Sequence, residues 1–218
     1  TMGGELNQPQ LPGGKANSLD RPDFMELAEL EDILARPDLK ALLVRGEGRH
    51  FSAGADLAAL EGQRQSGDLP AAIKRGKRLL DTLNRATVPV LAAIRGSCLG
   101  AGLEIALACH FRHASANALL GFPEGQHGFI PGMGGTVFGN TVLPAPGLME
   151  LILSARLVLG PEALGLGLVD VLSEGADPEA EALEWLDCLT ARHRPALIRA
   201  TLASIHDGRF LPREQALA

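Results

Sequence analysis

The stretch GSCLGAGLEIALACH, Gly96 to His110, places one acidic residue among small and apolar ones. A helix through Leu103 to Cys109 would be apolar nearly all round, and such a helix is normally buried. Glu104 lies inside it, and a buried carboxylate is unfavourable unless it is paired, hydrogen-bonded or protonated. The stretch therefore predicts either a narrow wet stripe on this helix or a carboxylate that takes part in chemistry.

Outward from this stretch, strand and helix patterns alternate along the chain. Short apolar runs bounded by glycine or proline predict strands in residues 40–45, 88–94, 111–122 and 167–172. Apolar residues at helical spacing predict helices in residues 24–34, 69–83 and 178–206. This alternation is typical of one α/β domain with parallel strands.

The composition is that of a globular protein and lacks the charge pattern of a nucleic-acid or membrane-surface protein. The chain has 218 residues, 46% of them hydrophobic, which is enough for a substantial core. Its net charge is −6, and it has no block of Lys or Arg to meet a phosphate backbone or an anionic membrane. No apolar run reaches membrane-spanning length, and TMGGELNQPQ lacks a signal-peptide pattern. We expect a cytoplasmic protein that binds neither nucleic acid nor membrane.

The cysteines and histidines do not show the spacing of a metal site. Cys98, Cys109 and Cys188 form no CxxC pair and no Cys/His ligand pattern, which favours reduced, buried thiols. His110 and His113 flank a helix-to-strand passage without further ligands and are expected to be structural. The sequence therefore predicts no bound metal.

Glycine-rich loops follow the first two predicted strands, where parallel α/β folds place their sites. These loops are GEGRHFSAGADL and GSCLGAGLE, and a third glycine cluster, PEGQHGFIPGMGG, spans residues 123–135. The second loop has the spacing GxxxGxG, so it does not fit the GxGxxG dinucleotide fingerprint, and neither a Walker pattern nor a GxSxG elbow occurs. Such loops supply backbone N–H groups at a turn and at a helix N-terminus, which are the components of an oxyanion hole.

Three stretches occur in a set order along the chain: HFSAGADL, VPVLAAIRGSCLGAGLEIALAC and GFPEGQHGFIPGMGGT. Together they resemble the enoyl-CoA hydratase/isomerase (crotonase) superfamily, from about Asn17 to Leu172. The resemblance implies an α/β, crotonase-like spiral of repeated ββα units, with a core over residues 1–160. It further implies a C-terminal helical segment, residues 161–218, that takes part in oligomerisation. A homotrimer or a dimer of trimers is the implied assembly, and an acyl-CoA thioester is the implied ligand.

The resemblance also assigns the residues of an active site. The two backbone N–H groups of the oxyanion hole fall on Ala55 and Ala101, and the two catalytic carboxylates fall on Glu104 and Glu124. Hydrating a conjugated thioester needs a base for water, an acid for the α-carbon and stabilisation of the enolate oxygen, which this set supplies. Coenzyme A would enter as part of the substrate, so no separate cofactor is expected. The implied substrate-binding residues are Ala53, Asp56, Leu57 and Gly132.

Several of these residues have an alternative, purely structural interpretation. Asp56 is equally well placed to cap the following helix, and Gly132 could simply serve a turn that needs positive φ. Taken singly, Glu124 resembles an exposed turn residue, and only its pairing with Glu104 favours catalysis. His127 is a weaker candidate for lining an acyl pocket. On the C-terminal helices, three leucines are predicted to be exposed and to meet partner subunits: Leu183, Leu186 and Leu197.

The residues favour an enoyl-CoA hydratase-like lyase and leave alternatives open. A double-bond isomerase is the first, because the same oxyanion hole serves proton transfer with one carboxylate. A non-catalytic acyl-CoA-binding protein is the second, since the chain departs from the family pattern at both ends. No motif places basic side chains against nucleotide phosphates, so a carrier-protein thioester stays open beside an acyl-CoA.

Overall fold

Seven strands and ten α-helices make up the residues that the computed structural model describes, 15–175 and 177–217. The strands are β1 Leu42–Arg45, β2 Val90–Ile94, β3 Ser97–Leu99, β4 Phe111–Ser115, β5 Leu119–Gly121, β6 Leu157–Leu159 and β7 Val171–Ser173. The first five helices are α1 Leu27–Ala35, α2 Leu57–Ser66, α3 Leu69–Asn84, α4 Ala101–Ala108 and α5 Gly135–Gly139. The others are α6 Ala145–Ser154, α7 Gly160–Leu166, α8 Glu179–Thr190, α9 Pro195–Phe210 and α10 Arg213–Ala216. Two short 3-10 helices, Lys15–Asn17 and Pro123–His127, complete the set.

The strands form two sheets that meet where β2 passes directly into β3. The first sheet has the order β1-β2-β4-β7, and all its strands are parallel. The second has the order β3-β5-β6, in which only β6 is antiparallel to its neighbour. Gly96, at φ 55, turns the chain between the sheets, and a Cβ there would lie 2.3 Å from the carbonyl oxygen of Arg49. The mixed α/β class with a parallel sheet is as the sequence predicts.

Both faces of the first sheet are covered by helices, as parallel sheets require. All five residues of β2 are buried. Side chains alternate across a strand, so Leu43 and Leu91 face the opposite side of the sheet from Leu42 and Val90. Leu43 and Leu91 pack against Leu186 of α8, whereas Leu42 and Val90 join the main core with α3 and α4.

The predicted strand over residues 111–122 is wrong, because the chain breaks there into two strands of different sheets. The turn between β4 and β5 is closed by the N–H of Ala118, which donates to the carbonyl of Ser115 at 3.0 Å. The hydroxyl of Ser115 also donates to the side-chain oxygen of Asn117 at 2.8 Å. The strand predicted over 167–172 begins later, at Val171, because Gly167 ends α7 in the left-handed conformation.

The C-terminal segment contributes to the core as well as to the surface. Its strand β7 pairs with β4, and Arg199 of α9 donates to the carbonyls of Leu34 and Arg36. The expected exposure of Leu186 is wrong, since α8 buries it completely beneath the sheet, and Leu183 is partly buried beside it. Leu197 is 54% exposed, as expected. The division of the chain at residue 160 stays a prediction.

Two histidines, His110 and His113, lie beside and within β4 in different surroundings. The Nδ1 atom of His110 accepts from the N–H of Val90 at 3.0 Å, so Nε2 carries the proton and donates to the carbonyl of Asn84 at 3.1 Å. Burial lowers the pKa of His110 to about 4. His113 is buried with its ring centroid 5.2 Å from that of Trp185. Neither ring nitrogen of His113 has a hydrogen-bond partner among the described residues. Hydrogen bonds therefore hold His110 in the fold, whereas the ring of His113 contacts that of Trp185.

The cysteines and possible metal ligands are dispersed. Cys98 and Cys109 are free and buried, whereas Cys188 is free and exposed, contrary to the expectation of burial. Within residues 15–175 and 177–217, no three His, Cys, Asp or Glu side chains are close enough to hold a metal ion. In the same part of the chain, no helix has the length and apolarity needed to cross a membrane.

Candidate active site

Two loops meet at the carboxyl ends of β1 and β3. The first, residues 52–56, is bonded to the second sheet through Ser52, whose N–H donates to Ser97 and whose carbonyl accepts from Leu99. A Cβ on Gly54 would lie 2.6 Å from the carbonyl oxygen of Leu99 and 3.5 Å from the nitrogen of Ala101. Glycine at this position, with φ 89, is therefore what lets the two loops touch.

The N–H groups of Ala55 and Ala101 are unused donors at this junction. Beside them, the N–H groups of Asp56 and Gly100 donate to backbone carbonyls. Neither Ala55 nor Ala101 donates to any acceptor in the part of the chain that the structure describes. Ala101 is the first residue of α4, where the helix dipole adds partial positive charge. The loops that carry the two predicted donors are thus in contact, and their role as an oxyanion hole stays a prediction.

Glu104 lies on the second donor's helix and is buried. Its exposed fraction is 1%, and all eight residues of α4 are buried, so the helix has no wet stripe. The carboxylate oxygen Oε1 accepts from the N–H groups of Met133 at 2.8 Å and Gly135 at 2.7 Å. Burial and, to a smaller extent, the charge of Glu124 raise the pKa of Glu104, whereas the N–H groups of Gly135, Met133 and Gly134 lower it, and the net result is a pKa of about 7. The buried carboxylate is therefore held by hydrogen bonds and poised to exchange a proton near neutral pH.

Glu124 lies on the 3-10 helix Pro123–His127, and its side chain points to the same junction of the two loops. Its Oε1 atom would lie 2.8 Å from a Cβ on Gly100, so the side chain points at the turn that carries Ala101. Its Oε2 atom is buried and has no hydrogen-bond partner among the described residues. Burial raises the pKa of Glu124, while its own backbone N–H and the charge of His127 lower it. An unpartnered carboxylate oxygen beside two unused N–H groups is an arrangement that can bind and protonate a ligand.

The predicted substrate-binding residues lie on the rim of the same junction. Ala53 is exposed, and its N–H donates to the carbonyl of Ala16 at 2.9 Å. Asp56 caps α2, because its Oδ1 accepts from the N–H of Ala59 at 2.9 Å. Leu57 is 51% exposed. Their contacts with a substrate stay predictions.

Gly132 does not serve a turn with positive φ, so that interpretation is wrong. Gly134, at φ 126, is the glycine with that conformation in this loop. A Cβ on Gly132 would come no closer than 4.0 Å to the carbonyl oxygen of Ile130, so the protein itself does not exclude a side chain there. The close approach of Gly132 to a substrate stays a prediction.

The backbone donors that hold Glu104 are functional groups that the sequence interpretation missed. A Cβ on Gly135 would lie 3.1 Å from Cγ of Glu104 and 2.9 Å from Cε1 of Phe122. Position 135 therefore has to lack a side chain where it packs on the carboxylate. The paired glycines of PGMGG are the signal that could have indicated this contact.

Replacing Glu104 by Gln is expected to stabilise the protein at alkaline pH. The folded-state pKa of about 7 lies above the usual 4.5, so ionisation favours the unfolded chain increasingly as the pH rises between these values. A pKa difference of this size lowers the free energy of unfolding of the wild-type protein by on the order of 3 kcal/mol. The full loss is reached above pH 7. Glu104→Gln keeps the acceptor oxygen and never ionises. Urea unfolding at pH 8 should show a gain of up to about that amount, shrinking towards pH 4.5.

The matched control for this measurement is Glu150→Gln. Glu150 is exposed and pairs with Arg156, and the hydrogen bond from Arg156 lowers the pKa of Glu150. That substitution should give no gain at pH 8. If wild type and Glu104→Gln have equal free energies of unfolding at both pH 4.5 and pH 8, ionisation of Glu104 does not destabilise the folded protein.

Comparison with known proteins places this junction in context. The sequence profile described as enoyl-CoA hydratase/isomerase matches residues 6–216. A protein of Bacillus subtilis named probable enoyl-CoA hydratase is 38% identical over 178 residues, which are 81% of this chain and 68% of that protein. The fatty acid oxidation complex subunit alpha of Shewanella baltica is 37% identical over 164 residues. This match covers 73% of the chain but only 23% of the much longer subunit.

Solved structures show the same architecture. An enoyl-CoA hydratase from Polaromonas sp. JS666 superposes with a TM-score of 0.88 at 26% identity, covering 100% of this chain and 86% of that one. An enoyl-CoA hydratase from Bacillus anthracis superposes with a TM-score of 0.85 at 29% identity, covering 96% and 82%. These superpositions confirm the predicted fold class, and every residue of the junction lies inside the range that the family profile matches.

Proposed function

The chain belongs to the enoyl-CoA hydratase/isomerase family, and on that premise we propose that it is a hydro-lyase that adds water across the 2,3 double bond of an acyl-CoA thioester. The observation that carries the proposal is the pair of carboxyl groups, Glu104 and Glu124, at a turn with two unused N–H donors. Both have raised pKa values. The name of the Bacillus subtilis relative and the Shewanella fatty acid oxidation subunit support this reaction and a place in fatty acid metabolism.

In the proposed reaction, the thioester oxygen accepts hydrogen bonds from the N–H groups of Ala55 and Ala101. These donors polarise the conjugated system and stabilise the negative charge that develops on the oxygen as the enolate forms. A water molecule held by Glu104 and Glu124 attacks the β-carbon and gives one proton to the ionised carboxylate. The other, protonated carboxyl group delivers its proton to the α-carbon, which leaves a 3-hydroxyacyl thioester.

The raised pKa values of Glu104 and Glu124 suit a reaction in which one group acts as base and the other as acid. A pair of interacting carboxyl groups releases its two protons in separate steps, so a singly protonated state is populated over a range of pH. Because the charge of Glu124 raises the pKa of Glu104, ionising one disfavours ionising the other. The pair can therefore offer one base and one acid at the same time, as hydration requires.

The choice between hydratase, isomerase and binding protein is a question for wild-type assays. Hydration of a short 2-enoyl-CoA removes the absorbance of the conjugated thioester, whereas isomerisation of a 3-enoyl-CoA creates it. Loss of absorbance with the first substrate supports the hydratase. A gain of absorbance with the 3-enoyl-CoA and no change with the 2-enoyl-CoA indicates the isomerase. Binding of either thioester without a change in absorbance indicates a non-catalytic protein. The same 2-enoyl group on a carrier protein tests that class of thioester.

We further propose that the protein assembles as a homotrimer or a dimer of trimers in the cytoplasm. Large apolar side chains are exposed on α6, β6 and α9, where partner subunits would cover them: Met149, Leu153, Leu157, Leu159, Leu197 and Ile205. Light scattering should give a mass of three or six times 22.9 kDa. A monomer at micromolar concentration would contradict the proposed assembly.

A further inference from the structure

The loop that carries Ala55 is held by a buried asparagine. Asn17 is 3% exposed and adopts φ 52, a conformation that few side chains other than Asn and Asp tolerate. Its amide nitrogen lies within hydrogen-bond distance of the carbonyl oxygens of Glu47 at 2.8 Å, His50 at 2.7 Å and Phe51 at 3.2 Å. The chain entering the loop is therefore bound to one buried side chain.

Ser52 extends this hydrogen bonding towards the oxyanion donor. Its side chain is fully buried, and its hydroxyl donates to the carbonyl of Asn17 at 2.8 Å. The same oxygen accepts from the N–H of Gly54 at 3.1 Å. The hydroxyl hydrogen is thus used by Asn17, which leaves the lone pairs of the oxygen directed at Gly54.

The N–H of Ala55 is oriented by these contacts because it belongs to the peptide unit that follows Gly54. The carbonyl of that unit accepts from the N–H of Leu19 at 2.8 Å. In a trans peptide the carbonyl and the N–H point in opposite directions. With Leu19 on one side and Ser52 holding Gly54 on the other, the N–H of Ala55 has little freedom to rotate.

Ser52 also contacts the helix that carries the second donor. A Cβ on Gly102 would lie 2.7 Å from Cβ of Ser52 and 3.0 Å from its Oγ, so α4 packs directly on this side chain. Gly102 follows Ala101 in the first turn of α4. Ser52 therefore contacts both donor-bearing segments, its own loop at Gly54 and the first turn of α4 at Gly102.

We propose that Ser52 is a positioning residue for the oxyanion hole, holding the N–H of Ala55 at the angle and distance from the N–H of Ala101 that a developing enolate oxygen requires. The inference rests on the proposed function, because it needs a thioester oxygen in that hole. Preorganised donors act mainly on the charge that develops in the transition state. Losing the Ser52 hydroxyl should therefore lower kcat much more than it raises KM.

The test compares Ser52→Ala with Ser115→Ala. Ser115 is the matched control, since it is also fully buried and its hydroxyl donates to the side-chain oxygen of Asn117 at 2.8 Å, in the turn between β4 and β5 and not to either donor loop. Ser52→Ala should reduce kcat for 2-enoyl-CoA hydration by about tenfold to a hundredfold, with KM changed by less than about threefold. Ser52→Cys, which keeps a weak donor and acceptor at the same place, should restore part of the rate. Ser115→Ala should hydrate the substrate as wild type does.

A spectroscopic measurement separates positioning from a role in folding alone. Cinnamoyl-CoA absorbs at longer wavelength when its carbonyl oxygen accepts stronger hydrogen bonds, and rapid mixing records this shift before turnover. The shift should be smaller with Ser52→Ala than with wild type, whether or not hydration occurs. A full shift and unchanged kcat in Ser52→Ala, even in a less stable protein, would overturn the positioning role. No shift with wild type would overturn both this role and the proposed oxyanion hole.

Discussion

Glu104→Gln and Glu124→Gln will each lower hydration of a short 2-enoyl-CoA by at least about a hundredfold, the lower end of what positioned acid-base groups contribute. Each substitution keeps the shape of the side chain and removes its capacity to exchange a proton. The double substitution should lower the rate by much less than the product of the single losses, because neither carboxylate can run the paired mechanism without the other.

Steady-state hydration of the two single variants and the double variant tests this, with circular dichroism to verify folding. The matched control is Glu29→Gln on α1, an exposed glutamate away from the junction, which should keep the wild-type rate. If one single variant keeps wild-type hydration, that residue is not one of the two acids. If a single variant loses hydration and still interconverts 3-enoyl and 2-enoyl thioesters, the remaining carboxylate is sufficient for the proton transfer of isomerisation.

Ala101→Pro should lower activity by about a hundredfold or more, although proline is well tolerated at the first residue of a helix. Ala101 holds that place in α4, and its N–H has no acceptor among the described residues, so the fold loses no hydrogen bond. Gly100 before it, at φ 52 and ψ −121, has no Cβ to clash with the proline ring. The substitution therefore removes the oxyanion donor and places the ring where the thioester oxygen would bind.

Ala145→Pro is the matched control for this substitution. Ala145 is exposed and is the first residue of α6, preceded by Pro144 at ψ 141, a conformation that a following proline accepts. This variant should fold and hydrate as wild type does. A folded Ala101→Pro protein with unchanged turnover would place the oxyanion hole elsewhere.

Much of the fold around the site could be predicted because its signals are local. The apolar run of β2, the turn at Gly96 and the apolar helix α4 follow from the order of residues in one continuous stretch. The helices α1 and α3 follow from apolar spacing along the chain. The strands β3 and β6 are only three residues long, so they carry almost no pattern of their own. They exist because of pairing with β5, which the local sequence does not encode.

The state of the two carboxylates depends on residues far along the chain. The sequence determines that Glu104 sits in an apolar helix, yet it leaves open whether that helix has a wet stripe. Only the packing of Met133 and Gly135, about thirty residues later, buries the carboxylate and supplies its donors. Glu124 resembles an exposed turn residue in sequence, but its side chain points at the turn at Gly100 and its Oε2 atom is buried without a hydrogen-bond partner among the described residues.

By itself, then, the sequence determined the α/β class, the buried strand β2 and the apolar character of α4, because each follows from local composition and periodicity. The assignment of the site residues came from the resemblance of three ordered stretches to the family. Tertiary structure decided which faces α8 covers, where the strands of residues 111–122 divide, and which glycine needs positive φ. It also decided the proton affinities of Glu104 and Glu124, because these depend on desolvation and on donors that only long-range packing brings together.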